Sequence, residues 1–407
     1  MDDHKLYLSS EDNLVLNELR KHGESWIVGG WVRDVLMMKK SDADLDIATV
    51  LLPKKVMEIF PKTIPIGVEY GTVMVRIDGS DKKWEVTTLR KDGSYGDGRR
   101  PDNVSFGKNI IDDLARRDFT INAMAIDSKG LIIDEFGGEN DLQNNIIRSV
   151  GNANERIAED GLRILRAFRF LDLERNNLRT FDSDLENAIN NNGHMLDKVS
   201  KERITDELMK ILNSNNPYKI FSKMQEMQVL RRILGDLSVD IVDHGEVEPL
   251  VILSKFLRNN DCTGDELSDK LKKLLKLSKK EINLVSFLHG HRNINLDRNL
   301  SSLRRFRVLL TEEQKLMILQ YHNDTLFNKN IEELGDEEIR LQPILNGNKI
   351  SDITGIKPGP RLGYLKDWLF RIQIEQNILQ EDDMIEVLNT INWKDTEIES
   401  WPKLSWP

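Results

Sequence analysis

Apolar and polar residues follow two different periods along this chain, and the change between them falls near residue 146. Before it, the short β-rich runs WIVGG, GTVMVRI, WEVTTL and AMAID are separated by Gly, Asp and Pro, which is the punctuation of strands and turns. GTVMVRI and WEVTTL both alternate, with DGSDKK between them, and a hairpin is predicted there. After residue 146 apolar positions recur at helical spacing, first in NANERIAEDGLRILRAFRFLDLE and then in KERITDELMKIL. The expected fold class is therefore α+β, a mixed sheet with helices followed by an all-α remainder. Polar or turn-rich breaks at 190–193, 213–217, 240–249 and 355–360 mark joints between helical units. There is no fixed-period repeat, which disfavours a regular solenoid.

At 407 residues the chain exceeds one compact core, so several domains are expected. No run of 18 apolar residues is available to span a bilayer, so no membrane association is expected. The start, MDDHKLYLSSEDN, is acidic and polar where a signal peptide needs a basic start and an apolar stretch, which leads to the expectation of a cytoplasmic location. The single cysteine, Cys262, excludes an internal disulfide and any multi-cysteine zinc site. A formal charge of −10 argues against a general nucleic-acid binder. The charge is unevenly spread, however. Residues 270–310 hold eleven Lys or Arg against two acids, whereas residues 375–407 hold two against eight. The first segment is either a local RNA-backbone patch or a solvated helix face.

The candidate chemistry begins in IVGGWVRDVL followed by SDADLDIA. A strand over Trp26 to Val28 runs into Gly29 and Gly30 and then into a helix opened near Trp31 to Arg33. Two glycines let backbone N–H groups approach a triphosphate, and the helix start adds partial positive charge. Downstream, Asp44 and Asp46 flank Leu45 in a β-like run, where residues i and i+2 point to one face. Two converging carboxylates repel unless a cation lies between them, and Mg²⁺ is the hard ion that suits carboxylate and phosphate oxygens. An exposed acidic turn is the alternative for an isolated triplet of this kind. Glu85, at the start of WEVTTL, is the candidate third carboxylate, with a solvent-facing strand glutamate as the alternative.

GGWVRD followed by DLD resembles motif A of the polymerase-β-like nucleotidyltransferases, and RRDFTINAMAID resembles motif B of their class II branch. FGGENDL, AEDGLRILRAFRF and KERITDELMKIL resemble motifs C, D and E, so that five motifs stand in order within roughly the first 215 residues. The resemblance is to the class II tRNA nucleotidyltransferases, the CCA-adding enzymes and their relatives the bacterial poly(A) polymerases. It implies a catalytic head over 1–146, a helical neck with base recognition over 147–215, a body over 216–300 and a tRNA-binding tail over 301–407. It also implies tRNA as partner, CTP and ATP as substrates, Mg²⁺ as cofactor, and addition of C, C and A without a nucleic-acid template.

Asp160 and Arg163 lie three apart in a helical pattern, which would place an acceptor beside a donor on one face. Cytosine and adenine present an amino donor next to a ring-nitrogen acceptor, and uracil and guanine present the reverse, so this pair complements C and A. A surface ion pair is the alternative, and the resemblance assigns the pair the role of amino-acid template. Arg116, Arg117, Asp118 and Asn122 fit ribose and triphosphate recognition, with Arg forks for phosphate and Asp for a sugar hydroxyl. The nucleotide-binding set is completed by Gly29, Gly30, Arg33, Asp34 and Arg166. RKDGSYGDGRRPDNVSFG reads as a mobile loop, and in the resembled family a loop there helps the pocket change from C to A. The rivals are a poly(A) polymerase, a CC-adding or A-adding enzyme, and a non-catalytic RNA-binding adapter. The seven histidines include no His-Asp doublet, so a phosphohydrolase activity is unsupported.

Overall fold

The computed structural model describes residues 8–38, 45–92, 104–173, 177–243, 245, 247–336 and 339–407. The chain folds as two compact units. One ends at Leu237 and also includes Lys273–Lys276, and the other is formed by Ser238–Lys272 and Leu277–Pro407.

The first unit opens with helix α1 (Ser10–His22), which is started by a capping box. The Ser9 hydroxyl accepts from the Asp12 N–H at 3.1 Å, and the Asp12 carboxylate accepts from the Ser9 N–H at 2.9 Å. The other Asp12 oxygen accepts the indole N–H of the fully buried Trp84 at 2.9 Å, which ties the cap to the sheet. Burial alone would raise the Asp12 carboxyl. Hydrogen bonds from Ser9 and Trp84, with the charge of Lys82, hold it below its ordinary value instead.

The described residues of this unit contain a seven-stranded mixed sheet. Its strands are β1 (Ser25–Val28), β2 (Asp46–Thr49), β3 (Lys62–Gly67), β4 (Thr72–Arg76), β5 (Trp84–Thr88), β8 (Ala125–Ile126) and β9 (Ile132–Ile133), while β6 (Arg90–Asp92) and β7 (Val104–Phe106) pair separately. The order across the sheet is β3-β4-β5-β2-β1-β8-β9. The hairpin predicted from alternation is β4–β5, antiparallel with Val75 opposite Trp84 and Val73 opposite Val86. These four side chains are fully buried and Glu85 between them is exposed, so the period of two is the period of burial. β2 pairs antiparallel with β1 and parallel with β5, which brings Val28, Asp46 and Glu85 level across three strands.

Helices α2 (Gly30–Leu36), α3 (Pro53–Ile59), α4 (Ile110–Ala115) and α5 (Gly138–Gln143) accompany the sheet, and α6 (Ala153–Glu159), α7 (Leu162–Phe170), α8 (Ser183–Asn192), α9 (Lys201–Leu212), α10 (Pro217–Glu226) and α11 (Val229–Leu234) follow it. α6 packs on α8 and α7 on α9, burying Ile164, Leu165 and Phe168 against the side of the bundle that carries Leu208 and Ile211. The second unit is helical from Pro249–Phe256 to Glu381–Thr390, as the periodicity predicts. Its helix Pro360–Gln376 contributes Leu362, Leu365 and Leu369 to a cluster that includes Met384, Trp393 and Trp401. Among the described residues no helix is long and apolar enough to cross a membrane.

Asp12→Ala removes the carboxylate half of the capping box and leaves the Trp84 indole N–H buried without an acceptor. A loss of about 1–3 kcal/mol is expected in urea unfolding, and an unchanged midpoint would show that the cap does not join α1 to the sheet.

Candidate active site

β1 ends at Val28, and the chain then turns through Gly29 with φ +76° into α2. A Cβ at Gly29 would lie 3.0 Å from an Asp46 carboxylate oxygen and 3.3 Å from a terminal nitrogen of Arg117. Glycine is therefore required twice over, for the positive φ and for the close approach of an anion and a cation to the backbone. The predicted strand–Gly-Gly–helix sequence is present, and it brings Asp46 and Arg117 to the turn.

Asp46 is the first residue of β2 and half-buried, so the strand begins only at the last residue of the aspartate triplet. Asp44 lies outside the described residues, as does 93–103 of the predicted loop. Asp46 is level with Glu85 on the adjacent parallel strand, and side chains level in neighbouring strands point to the same face. Glu85 thus emerges beside Asp46, exposed, with carboxylate oxygens suited to a hard cation. Among the described residues no group of three or more His, Cys, Asp or Glu gathers in a geometry that would hold a metal ion.

Behind the turn, polar side chains form a directed chain. Arg33 donates to Asp34 at 2.8 and 3.0 Å and to the Asn122 side-chain oxygen at 2.9 Å. The Asn122 amide donates to Asp118 at 3.4 Å, and the same Asp118 oxygen accepts the Phe119 N–H at 2.9 Å. The other Asp118 oxygen takes Nε of Arg166 at 2.7 Å and a terminal nitrogen of that guanidinium at 2.6 Å. Burial would raise the Asp118 carboxyl, but the Arg166 guanidinium and the Phe119 N–H hold it below its ordinary value. Asp118 is thus engaged by protein donors, and Asn122 orients it while holding Arg33. Arg179, nearly buried, donates to the carbonyls of Phe170 and Asp172 at 2.9 and 2.8 Å. Burial and the nearby charge of Arg33 push it down to about 10.

Arg116 and Arg117 both rest on Asp113, a fully buried carboxylate that sequence reasoning missed. Arg116 donates to one oxygen at 2.6 and 3.0 Å and Arg117 to the other at 3.4 Å. The signal was present in DDLARRD, where Asp113 stands three and four residues before the two arginines on α4 and its end.

Asp160 and Arg163 do not share a continuous helix, and the expectation of one face is corrected here. α6 ends at Glu159, Asp160 is extended with φ −151° and ψ 104°, and α7 begins at Leu162. A Cβ at the intervening Gly161 would lie 2.3 Å from the Met195 carbonyl oxygen, so the break is packed against the segment Gly193–Lys198. Each member of the pair has its own support. Asp160 receives Arg203 of α9 at 2.7 and 3.1 Å and the Leu162 N–H at 3.1 Å. Arg163 donates to Glu159 at 2.6 Å and to the carbonyls of Arg156 and Arg116 at 2.9 and 3.2 Å. Sequence reasoning missed Glu159 and Arg203 as supports, although both lie in the quoted motifs. An α7–α9 ion pair joins Arg169 to the buried Glu207 at 2.5 Å.

Arg166→Met strands the Asp118 carboxylate in a buried position. At pH 7 we expect a loss of about 2 to 3 kcal/mol in urea unfolding, less than for a fully buried pair because Arg166 is a third exposed. The lowered Asp118 value means that the pair's contribution is present above the unfolded carboxyl value of about 3.9 and is lost as pH falls. The gap between wild type and variant should therefore narrow as the pH is taken from 7 to below about 3.9, and a gap that widens would contradict the assignment.

Residues 25–148 match the poly A polymerase head domain, and residues 180–240 match the region described as the probable RNA- and SrmB-binding site of polymerase A. The CCA-adding enzyme of Ligilactobacillus salivarius is 34% identical over 390 residues, covering 91% of this chain and 93% of that protein. The CCA-adding enzyme of Lactococcus lactis subsp. cremoris is 35% identical over 374 residues, covering 86% and 88%. The crystal structure of the Bacillus stearothermophilus CCA-adding enzyme in complex with CTP superposes with a TM-score of 0.75 at 26% identity, over 92% of this chain and 96% of that one. Similarity of this extent in sequence and in fold means that the chain belongs to the family of CCA-adding enzymes, which are nucleotidyltransferases.

Proposed function

We propose that this protein extends the 3′ end of tRNA by C, C and A, using CTP and ATP, releasing pyrophosphate at each addition, and working in the cytoplasm without a nucleic-acid template. The observation that carries the reading is the approach of Asp46 and Arg117 to the Gly29 turn, with Glu85 level with Asp46 on the neighbouring strand. That arrangement puts carboxylate oxygens beside backbone and guanidinium donors, which is the combination a nucleoside triphosphate with a divalent cation requires. Asp46 with Asp44 two positions before it would hold Mg²⁺, and Glu85 stands near enough in register to join them. Bound there, Mg²⁺ supplies charge stabilisation at the transferring phosphoryl group.

Base choice rests with Asp160 and Arg163. Three of the five guanidinium donors of Arg163 are committed to Glu159 and two backbone carbonyls, and the remaining two can meet a ring nitrogen. Asp160 keeps acceptor capacity beyond its bonds to Arg203 and Leu162, enough for an exocyclic amino group. With both side chains braced before a base arrives, little ordering entropy is lost on binding, and a base with the reversed edge leaves them unpaired. The division into a head over 1–146, a neck over 147–215, a body over 216–300 and a tail over 301–407 completes the proposal, with the tail gripping tRNA.

The test offers tRNA lacking its last three nucleotides with CTP alone, ATP alone, and both, and reads product length. Two additions with CTP and a third only when ATP is also present are expected. Long A-tails would select a poly(A) polymerase, and no incorporation would select an RNA-binding adapter. Asp46→Ala should lower incorporation by about 10³-fold or more with a normal unfolding midpoint, and retained activity would remove Asp46 from the cation site. Arg163→Asp should disturb discrimination among the four nucleotides, read from single-nucleotide incorporation rates, more than it weakens tRNA binding in a filter assay.

A further inference from the structure

Three guanidinium groups converge on one aromatic ring in the first unit. Arg169 lies 4.4 Å, Arg33 5.3 Å and Arg166 5.6 Å from the centroid of Phe170, all within the range in which a ring's negative face attracts a cation. Arg166 and Arg169 come from the same helix as Phe170, but Arg33 reaches it from α2, across the gap beside the Gly29 turn. Phe119, fully buried, meets Phe170 edge-on at 5.7 Å and 75°, which fixes the ring plane. Like charges this close repel, and each guanidinium is anchored on its own acid: Arg33 on Asp34, Arg166 on Asp118 and Arg169 on Glu207. Those carboxylates engage one edge of each fork. Arg166 spends two of its five donors on Asp118, and Arg33 spends three on Asp34 and Asn122.

We propose that Phe170 is a positioning residue for the triphosphate: its ring holds Arg33 and Arg166, with Arg169 behind them, as a pre-oriented fan across the α2–α7 gap, so that their remaining donors meet the phosphate oxygens of either nucleotide. This rests on the function proposed above. A pre-oriented fork loses little side-chain freedom on binding, and a triphosphate is common to CTP and ATP. The effect of losing the ring is therefore the same for both nucleotides and leaves base choice intact. A ring that merely filled space would be replaced by any apolar side chain of similar volume.

The experiment compares Phe170→Leu with Phe170→Tyr and Phe170→Trp in the full-length protein, reading the affinity for tripolyphosphate by calorimetry and the KM for CTP and for ATP during tRNA extension. Phe170→Leu should weaken tripolyphosphate binding and raise both KM values by roughly tenfold, with their ratio unchanged, and an aromatic replacement should recover to within about threefold of wild type. The proposal is overturned if leucine behaves as wild type, if leucine and the aromatic replacements lose equally, or if one nucleotide alone is affected. Phe170→Met repeats the comparison should leucine fail to fold, and unfolding of both at the assay temperature would make the ring a packing residue. A wild-type protein that binds tripolyphosphate through this fan yet adds no nucleotide to tRNA would sink the transferase reading and leave the fan standing.

Discussion

A buried carboxylate must find a cation, and in this protein the demand made by Asp118 organises the site. Its two oxygens are shared among Arg166, Asn122 and the Phe119 N–H, so one ion joins the end of the sheet region to α7 in the helical part. Desolvation makes the isolated carboxylate too costly to keep, which makes the contact obligatory where a surface ion pair would be optional. Through Asn122 the same constraint reaches Arg33 on α2 and hence the turn after β1. Backbone turn and guanidinium cluster are therefore set in one frame.

The pattern recurs around the site. Asp113 splints Arg116 and Arg117, Glu159 splints Arg163, Arg203 splints Asp160, and Glu207 splints Arg169. Two of these pairs cross from α7, or the turn before it, to α9, so the fourth and fifth motifs are two halves of one electrostatic joint. This also accounts for an acidic protein acting on polyanions. The arginines that matter are gathered and oriented by buried acids, and the overall charge of −10 is carried elsewhere.

A preassembled site of this kind suits selection without a nucleic-acid template. When protein side chains read a base, discrimination depends on how little they can rearrange to accept the wrong edge. Asp160 and Arg163, the pair proposed to read the base, are each held by at least two protein groups, and Gly161 lets the chain break tightly enough against Met195 to set both. A larger residue at 161 would move the donor and acceptor together with the backbone that carries them.

The sequence by itself determined the two periods and therefore the α+β class, the β4–β5 hairpin, the helical remainder and the glycine turn after Val28. Each of these depends on neighbours within a few residues, where pleat, helical rise and glycine's freedom act directly. It also marked Asp46, Arg117 and Asp118 as candidates by the chemistry of their residue types, and Arg33 and Arg166 through the motifs that contain them. The tertiary structure alone decided who pairs with whom. Asp46 meets Glu85 through a parallel register from 39 residues away, and Asp160 meets Arg203 from 43 residues away. The helical pattern of AEDGLRILRAF concealed the break at Asp160, because a single extended residue costs the periodicity almost nothing while packing against Met195 requires it. Long-range register, burial and the pairing of buried charge depend on the whole folded chain, and no window of sequence contains them.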